Sequence, residues 1–323
     1  MNPIRTLSLA AAAAALLLAG EAGAQRQVNA RHDAASNGTV EIEINNGSLR
    51  VVGWGRSEVQ VTGTLARERD QVALEGSGRT TEVRVEGRRG MPGSATLEVR
   101  VPAGSSVEVT AVGNAPITVT GVNGDVETVS RGGVTLIQGS PRSVDVTSQH
   151  GGITLEGNTG RASLTSMSGP VRVNGTVRQR AEVNAMSGAV EISGNVGEVE
   201  IHALNGAVRV ANVTGGRVEI NSVSGSVSVT GTRLRGNVAS VSGSVVVSGT
   251  VGGALNVESH AGSVELRMPG NTGAEVQVTS WSGGVASDWR LNRDGREWSG
   301  TLGRGGPNVS ITTFSGSVKL TRR

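Results

Sequence analysis

The 323-residue sequence contains no cysteine and no tyrosine, and it has one phenylalanine and four tryptophans. Without cysteine there is no disulfide framework, thiolate metal site, cysteine nucleophile or lipidated N-terminal cysteine. Aromatics make up 2 % and hydrophobic residues 36 % of the chain, so any core is assembled from small aliphatic side chains. Lysine is almost missing too, because Lys319 is the only one and arginine supplies the remaining basic residues. A net charge of +3 therefore coexists with a pI near 10.6, since arginine does not titrate near neutrality. Nucleic-acid binding needs a concentrated basic patch with interleaved aromatics. No segment has one, and no nucleic acid is expected as a partner.

Glycine is abundant, with 49 residues, about twice its usual share of ~7 %. Together with 8 prolines it still falls short of the ~25–30 % that marks low-complexity disorder, so the excess has a geometric purpose. The N-terminus reads as a signal peptide over residues 1–24. Arg5 supplies the positive region, Leu7 to Leu18 is apolar apart from Ser8, and Ala22-Gly23-Ala24 forms a small-x-small cleavage site. The apolar run is too short for the ~20 residues of a spanning helix. No second apolar span or aromatic girdle follows, so the mature chain, starting near Gln25, is not expected to span a membrane. Its expected location is periplasmic or at the cell surface or beyond.

Self-similarity dominates the chain beyond residue 110. Ser168-Gly169-Pro170-Val171-Arg172-Val173, Ser187-Gly188-Ala189-Val190-Glu191-Ile192 and Ser224-Gly225-Ser226-Val227-Ser228-Val229 are versions of one unit. The unit recurs around Gly132, Gly151, Gly206, Gly243 and Gly262, and again at Gly283 and Gly316, with steps of 19 and 18 residues between Gly132 and Gly262. Periods near 20 belong to solenoids, in which each turn buries its apolar face only against its neighbours. Within a unit the apolar period is two, as in Val199-Glu200-Ile201 and Val208-Arg209-Val210, which specifies strands with one face inward. Recurrent glycine and the wrong period exclude helix. A short third strand fits at Val177, Val196, Val213 and Val251.

These features predict an all-β fold, a parallel β-helix (β-solenoid) with coils of about 18–19 residues. Residues 25–110 form an irregular strand-rich N-terminal region and cap, 111–283 the repeats, and 284–323 the last coil and a C-terminal cap. The corner glycines are expected at φ > 0, preceded by Ser or Asn whose side chains bond nearby backbone. The residue before those is mostly apolar (Met167, Met186, Leu204, Val223, Val241, then His260, Trp281, Phe314) and is expected to point into the core corner.

Leu97-Glu98-Val99-Arg100-Val101-Pro102-Ala103-Gly104, the Ser-Gly-x-Val-x-Val units, the closing Ser315-Gly316-Ser317-Val318-Lys319-Leu320 and the opening Gly47 to Trp54 together give the chain a resemblance to the putative-adhesin family of bacterial exported proteins, a domain of unknown function with an expected β-solenoid fold. The resemblance spans most of residues 30–323 and implies architecture without implying catalytic residues.

Outward columns are the candidate sites. Asp145, Ser163, Glu182, Glu200, Glu219, Asn237 and Asn256 stand six residues before the corner glycine. Arg161, Arg180, Glu198, Arg217 and Arg235 lie two residues earlier, and Arg172, Glu191 and Arg209 follow the corner. They read as a solvated ion-pair ladder, with a strip gripping a cation or polyelectrolyte as the alternative. His150, His202 and His260 take different offsets and cannot share a metal, and Gly124-Asp125 is a lone fragment of a calcium nonapeptide. Asp70, Asp125, Asp145, Asp288 and Asp294 are scattered, and no serine sits in a nucleophile elbow. No catalytic residue, cofactor or metal is therefore expected. Thr118, Thr135 and Thr154 would begin a threonine ladder that Arg172 ends. Trp281, Trp289 and Trp298 are expected to plug the C-terminal coil, with one sugar-stacking patch as the alternative. The expected function is that of a non-enzymatic, adhesin-like interaction or scaffold module for an envelope or extracellular polysaccharide or protein. A polysaccharide-active β-helix enzyme is the alternative, and a self-associating envelope element the third reading.

Overall fold

The computed structural model describes residues 26–87 and 93–323, so the expected signal peptide lies outside the described residues. Among the described residues every regular element is a β-strand. The local cause is visible in Val196–Asn205, where Val199, Ile201 and Ala203 are buried while Glu200, His202 and Leu204 face out. Val208–Thr214 follows with Val208 and Val210 buried and Arg209 exposed. β-branched residues dominate the inward positions, as pleated, half-buried surfaces favour.

Each unit contributes one strand to each of two walls, and units stack in parallel and in register. On one wall Val199, Glu200 and Ile201 pair with Val218, Glu219 and Ile220, and on the other Val208 and Val210 pair with Val227 and Val229. Val177, Val196 and Val213 add a third buried position per unit. The corner between the walls requires glycine. Gly206 has φ +141°, and a Cβ there would sit 2.1 Å from the carbonyl oxygen of Gly188 in the next unit. An inward hydroxyl three residues earlier ties several corners down, with Ser166 Oγ donating to Gly169 O at 3.1 Å and Ser148 Oγ to Gly151 O at 3.0 Å.

A Cβ on Gly151 would strike the carbonyl of Gly133, so Gly133 and not Gly132 is the corner glycine, and this step is 18 residues. For the same reason Thr135 is buried between Ile117 and Ile153, while Leu136 stands between Thr118 and Thr154. The threonine ladder does not form.

Both ends depart from sequence order. Thr39–Ile44 lies between Thr80–Glu86 and Ser106–Asn114, and Asn46–Trp54 lies between Ser94–Pro102 and Ile117–Thr120. Thr80–Glu86 and Ser94–Pro102 therefore lie outside the unit from 39–54. Antiparallel strands cover them, Gln71–Ser77 on one wall and Glu58–Leu65 with Arg26–Asp33 on the other. At the far end Asn308–Ser315 inserts between residues 255–261 and Ala274–Ser282. Val318–Arg322 likewise inserts between Val264–Met268 and Val285–Ser287. Glu297–Leu302 then runs antiparallel along Ala274–Ser282. Parallel edges expose unpaired backbone groups, and these antiparallel strands satisfy those of Thr80–Glu86, Ser94–Pro102 and Ala274–Ser282.

Candidate functional site

The wall that contains Val196–Asn205 presents three outward columns, six, four and two residues before the corner glycine. The column two residues before was expected in the core corner and is instead exposed. Met167, Met186, Leu204, Val223 and Val241 are 42–50 % exposed, and Trp281 and Phe314 are 54 % and 52 % exposed. Strand parity is the reason. Ser166, Ala185 and Ala203, one residue earlier, take the inward slot, and the chain turns only after the following Ser-Gly, so nothing redirects the next side chain inward.

The inserted C-terminal unit completes this column. Ser259 pairs with Thr313 and Thr313 with Ser280, which sets Phe314 between His260 and Trp281. The His260 and Phe314 rings stack at 5.0 Å and 4°, Trp281 follows at 6.3 Å, and the Arg296 guanidinium closes the stack 4.8 Å above Trp281. Eight successive units thus carry a large, mostly apolar side chain in one line, about 34 Å long at the usual strand spacing. Trp281 belongs to this line, whereas Trp289 and Trp298 pack half-buried against the core as expected for a plug.

Between this ridge and the column four residues before the glycine runs a groove of about 770 Å³. Its titratable side chains are His202, Glu258 and His260. The column includes Thr165, Asn184, His202 and Asn221, continuing through Ala239 and Glu258 to Thr312. His202 Nε2 lies 3.0 Å from Glu200 Oε1 on its own strand.

The column six residues before the glycine holds the register read from the sequence, with Glu182, Glu200 and Glu219 on successive units. Arg180 pairs with Glu182 and Glu200, and Arg217 with Glu219 at 3.4 Å and Glu198 at 4.0 Å. Across the corner Arg172 lies 3.9 Å from Glu191. These contacts form the ion-pair ladder. The same column continues as carboxylates from Asp145 to Glu127, Glu108, Glu41 and Glu82, which the sequence reading missed because the corner lies at Gly133 and because Thr39–Ile44 and Thr80–Glu86 stack out of sequence order. Burial holds Glu108 above the ordinary carboxylate range, and the neighbouring charges of Glu127 and Glu41 add to it. Asp145 is raised by burial and then by Glu182. Asp125 is lowered, chiefly by its hydrogen bond from Arg142. Among the described residues no three His, Asp or Glu side chains gather in metal-binding range, and no helix is long and apolar enough to cross a membrane.

Among solved structures, the chain is similar to one titled a putative adhesin from Parabacteroides merdae, with 9 % identity, 93 % of this chain and 98 % of that one covered, and TM-score 0.37. A second, titled a putative adhesin from Parabacteroides distasonis, has 12 % identity, the same coverages and TM-score 0.35. A third, titled a putative lipid binding protein from Parabacteroides distasonis, has 10 % identity, coverages of 92 % and 97 % and TM-score 0.35. No curated protein matches the chain. The family model described as Toastrack DUF4097 matches residues 34–321, nearly the whole of the stacked walls and both covered ends, and the chain belongs to that family.

Proposed function

We propose that the protein is an exported, non-enzymatic, adhesin-like interaction or scaffold module, built as a parallel β-helix with coils of 18–19 residues. In this reading residues 1–24 are a cleaved signal peptide, 25–110 the N-terminal region, 111–283 the repeats and 284–323 the last coil and cap. The in-register pairing of both walls at one step supports the coil assignment. The single observation that carries the function is the eight-unit apolar line beside its groove. Monomeric proteins rarely leave a contiguous apolar surface beyond a few hundred Å² uncovered, and larger ones mark binding surfaces. A line of repeated weak contacts gains through effective concentration, so a repetitive envelope polymer or protein is a suitable partner.

The enzymatic alternative requires carboxylates paired across one cleft, and the groove offers Glu258 alone. The test incubates the mature chain with purified envelope polysaccharide and reads both binding and chain length of the polymer. Binding without shortening is the expected result, and protease shaving of intact cells separates the two exported locations, loss of the epitope marking surface display. Depolymerisation of the polysaccharide overturns the non-enzymatic reading, and protection of the epitope until the outer barrier is opened overturns surface display in favour of a periplasmic role.

A further inference from the structure

We propose that one occupant of the groove is a second copy of this chain, packed side by side with its stack running in the opposite direction. The inference rests on reading the apolar line as an interaction surface. Three observations select a second copy. The first is period, because the line repeats once per unit, and only a partner with the same rung spacing of about 4.8 Å meets every rung. The second is extent. The line is uncovered along all eight rungs, with seven of its side chains 42–54 % exposed, and a second copy covers it over its whole length.

The third is complementarity about the midpoint of the line. A two-fold axis crossing between Val223 and Val241 gives an isologous interface in which each contact occurs twice. Val223 then meets the partner's Val241, and Leu204 meets the partner's His260. Met186 and Met167 meet the partner's Phe314 and the partner's Trp281, so soft thioethers cover the aromatic end. In the column beside the groove the titratable residues are His202 on the third rung and Glu258 on the sixth, and the same axis brings His202 opposite the partner's Glu258. In the column beyond, carboxylates occupy the first half (Glu182, Glu200, Glu219) and uncharged Asn237, Asn256 and Ser310 the second. Opposite directions set the charged half against the uncharged half. Stacks running in the same direction place each rung of the line against its own copy, and then His202 does not meet Glu258.

Disulfide trapping of the mature chain tests this, because the sequence has no cysteine of its own. Leu204→Cys and His260→Cys lie three rungs apart, about 14 Å, beyond the ~7 Å that a disulfide tolerates between Cα atoms, so the double variant cannot bridge within one chain. Under copper–phenanthroline oxidation the double variant is expected to give a covalent dimer and each single variant none. Light scattering of the unmodified chain at tens of micromolar is expected to give twice the chain mass. Val223→Asp, at the centre of the interface and exposed in a single copy, is expected to weaken self-association at least tenfold with an unchanged circular-dichroism spectrum. Covalent dimers from either single variant overturn the opposite-direction packing. A chain that stays at the mass of one copy and does not cross-link overturns self-association altogether. Polysaccharide binding by that monomer still supports the function proposed above, and its absence counts against that function separately.

Discussion

Replacing Gly206 by alanine perturbs two things at once. The residue has φ +141°, a region L side chains rarely adopt, and the new Cβ would lie 2.1 Å from Gly188 O, 2.7 Å from Gly188 C and 3.4 Å from Ala189 N. All three are backbone atoms, so no side chain can rotate away. Strained backbone of this kind costs about 1–3 kcal/mol. Relief of the clash also pulls apart two corner hydrogen bonds, from Gly188 N to Asn205 O at 3.1 Å and from Gly206 N to Ser224 O at 3.0 Å, each worth about 1 kcal/mol net. The expected loss is about 3–5 kcal/mol. Two other glycines separate the contributions. Gly215 has φ +68° but open space around its Cβ position, so Gly215→Ala carries only the left-handed penalty of about 1–2 kcal/mol. Gly284 has open space and no such φ, so Gly284→Ala should be neutral or stabilising by up to about 1 kcal/mol. Urea unfolding followed by circular dichroism and tryptophan fluorescence measures all three. A Gly206→Ala variant no less stable than Gly215→Ala would refute the close-approach argument, and equality with Gly284→Ala would refute the strain argument as well.

Other substitutions separate inside from outside. Ile201→Ala, in a fully buried position, should cost about 2–5 kcal/mol, whereas Met186→Ala on the exposed line should stay within about 0.5 kcal/mol when measured on dissociated chains; similar losses for both would return the methionine to the core. Glu127→Gln removes a like charge beside Glu108 and should stabilise the fold at pH 7 by roughly 0.2–1 kcal/mol. Because the folded state binds the Glu108 proton more tightly than the unfolded chain, its contribution is fully present below the ordinary carboxylate range and is lost as pH rises through the raised value. The Glu127→Gln variant should therefore show a shallower decline in melting temperature from pH 4 to 7. Asp125 has the opposite sign, with stability present above the ordinary range and lost on acidification. Arg142→Ala should move its NMR-detected titration upward, and an unmoved titration would remove Arg142 as the cause.

The repeat was legible because the corner at Gly188, Gly206 and Gly225 admits only glycine, which prints the unit length directly onto the sequence. Strand parity then placed Glu182, Glu200 and Glu219 in one line. The exposed line was misplaced because residue type was followed where parity should have been. With Ile201 and Ala203 inward, Leu204 had to face out, and that signal was available. The Gly132–Gly133 pair offered two equivalent corners one residue apart, and the approach of Gly151 to the Gly133 carbonyl, with φ +89° at Gly133, separates them. The aromatic stack was not legible at all. It depends on Phe314 lying between His260 and Trp281, which follows from a pairing order that no local pattern encodes.

That order also bears on how the molecule is completed. The last strands of the chain, Asn308–Ser315 and Val318–Arg322, pair on both sides, with units that precede them in sequence. A chain emerging from its N-terminus can stack coils one upon another as far as Met268, but residues 274–287 have no wall to join until residues 308–322 arrive. Without residues 308–322 the stack would therefore lose an interior rung and leave 274–287 detached, so the arrival of these two strands is the step that closes this end. A duplicated coil is accommodated in the middle of the stack, where each unit follows its neighbour in sequence, and not at Asn308–Ser315 or Val318–Arg322, whose edges are already paired on both sides.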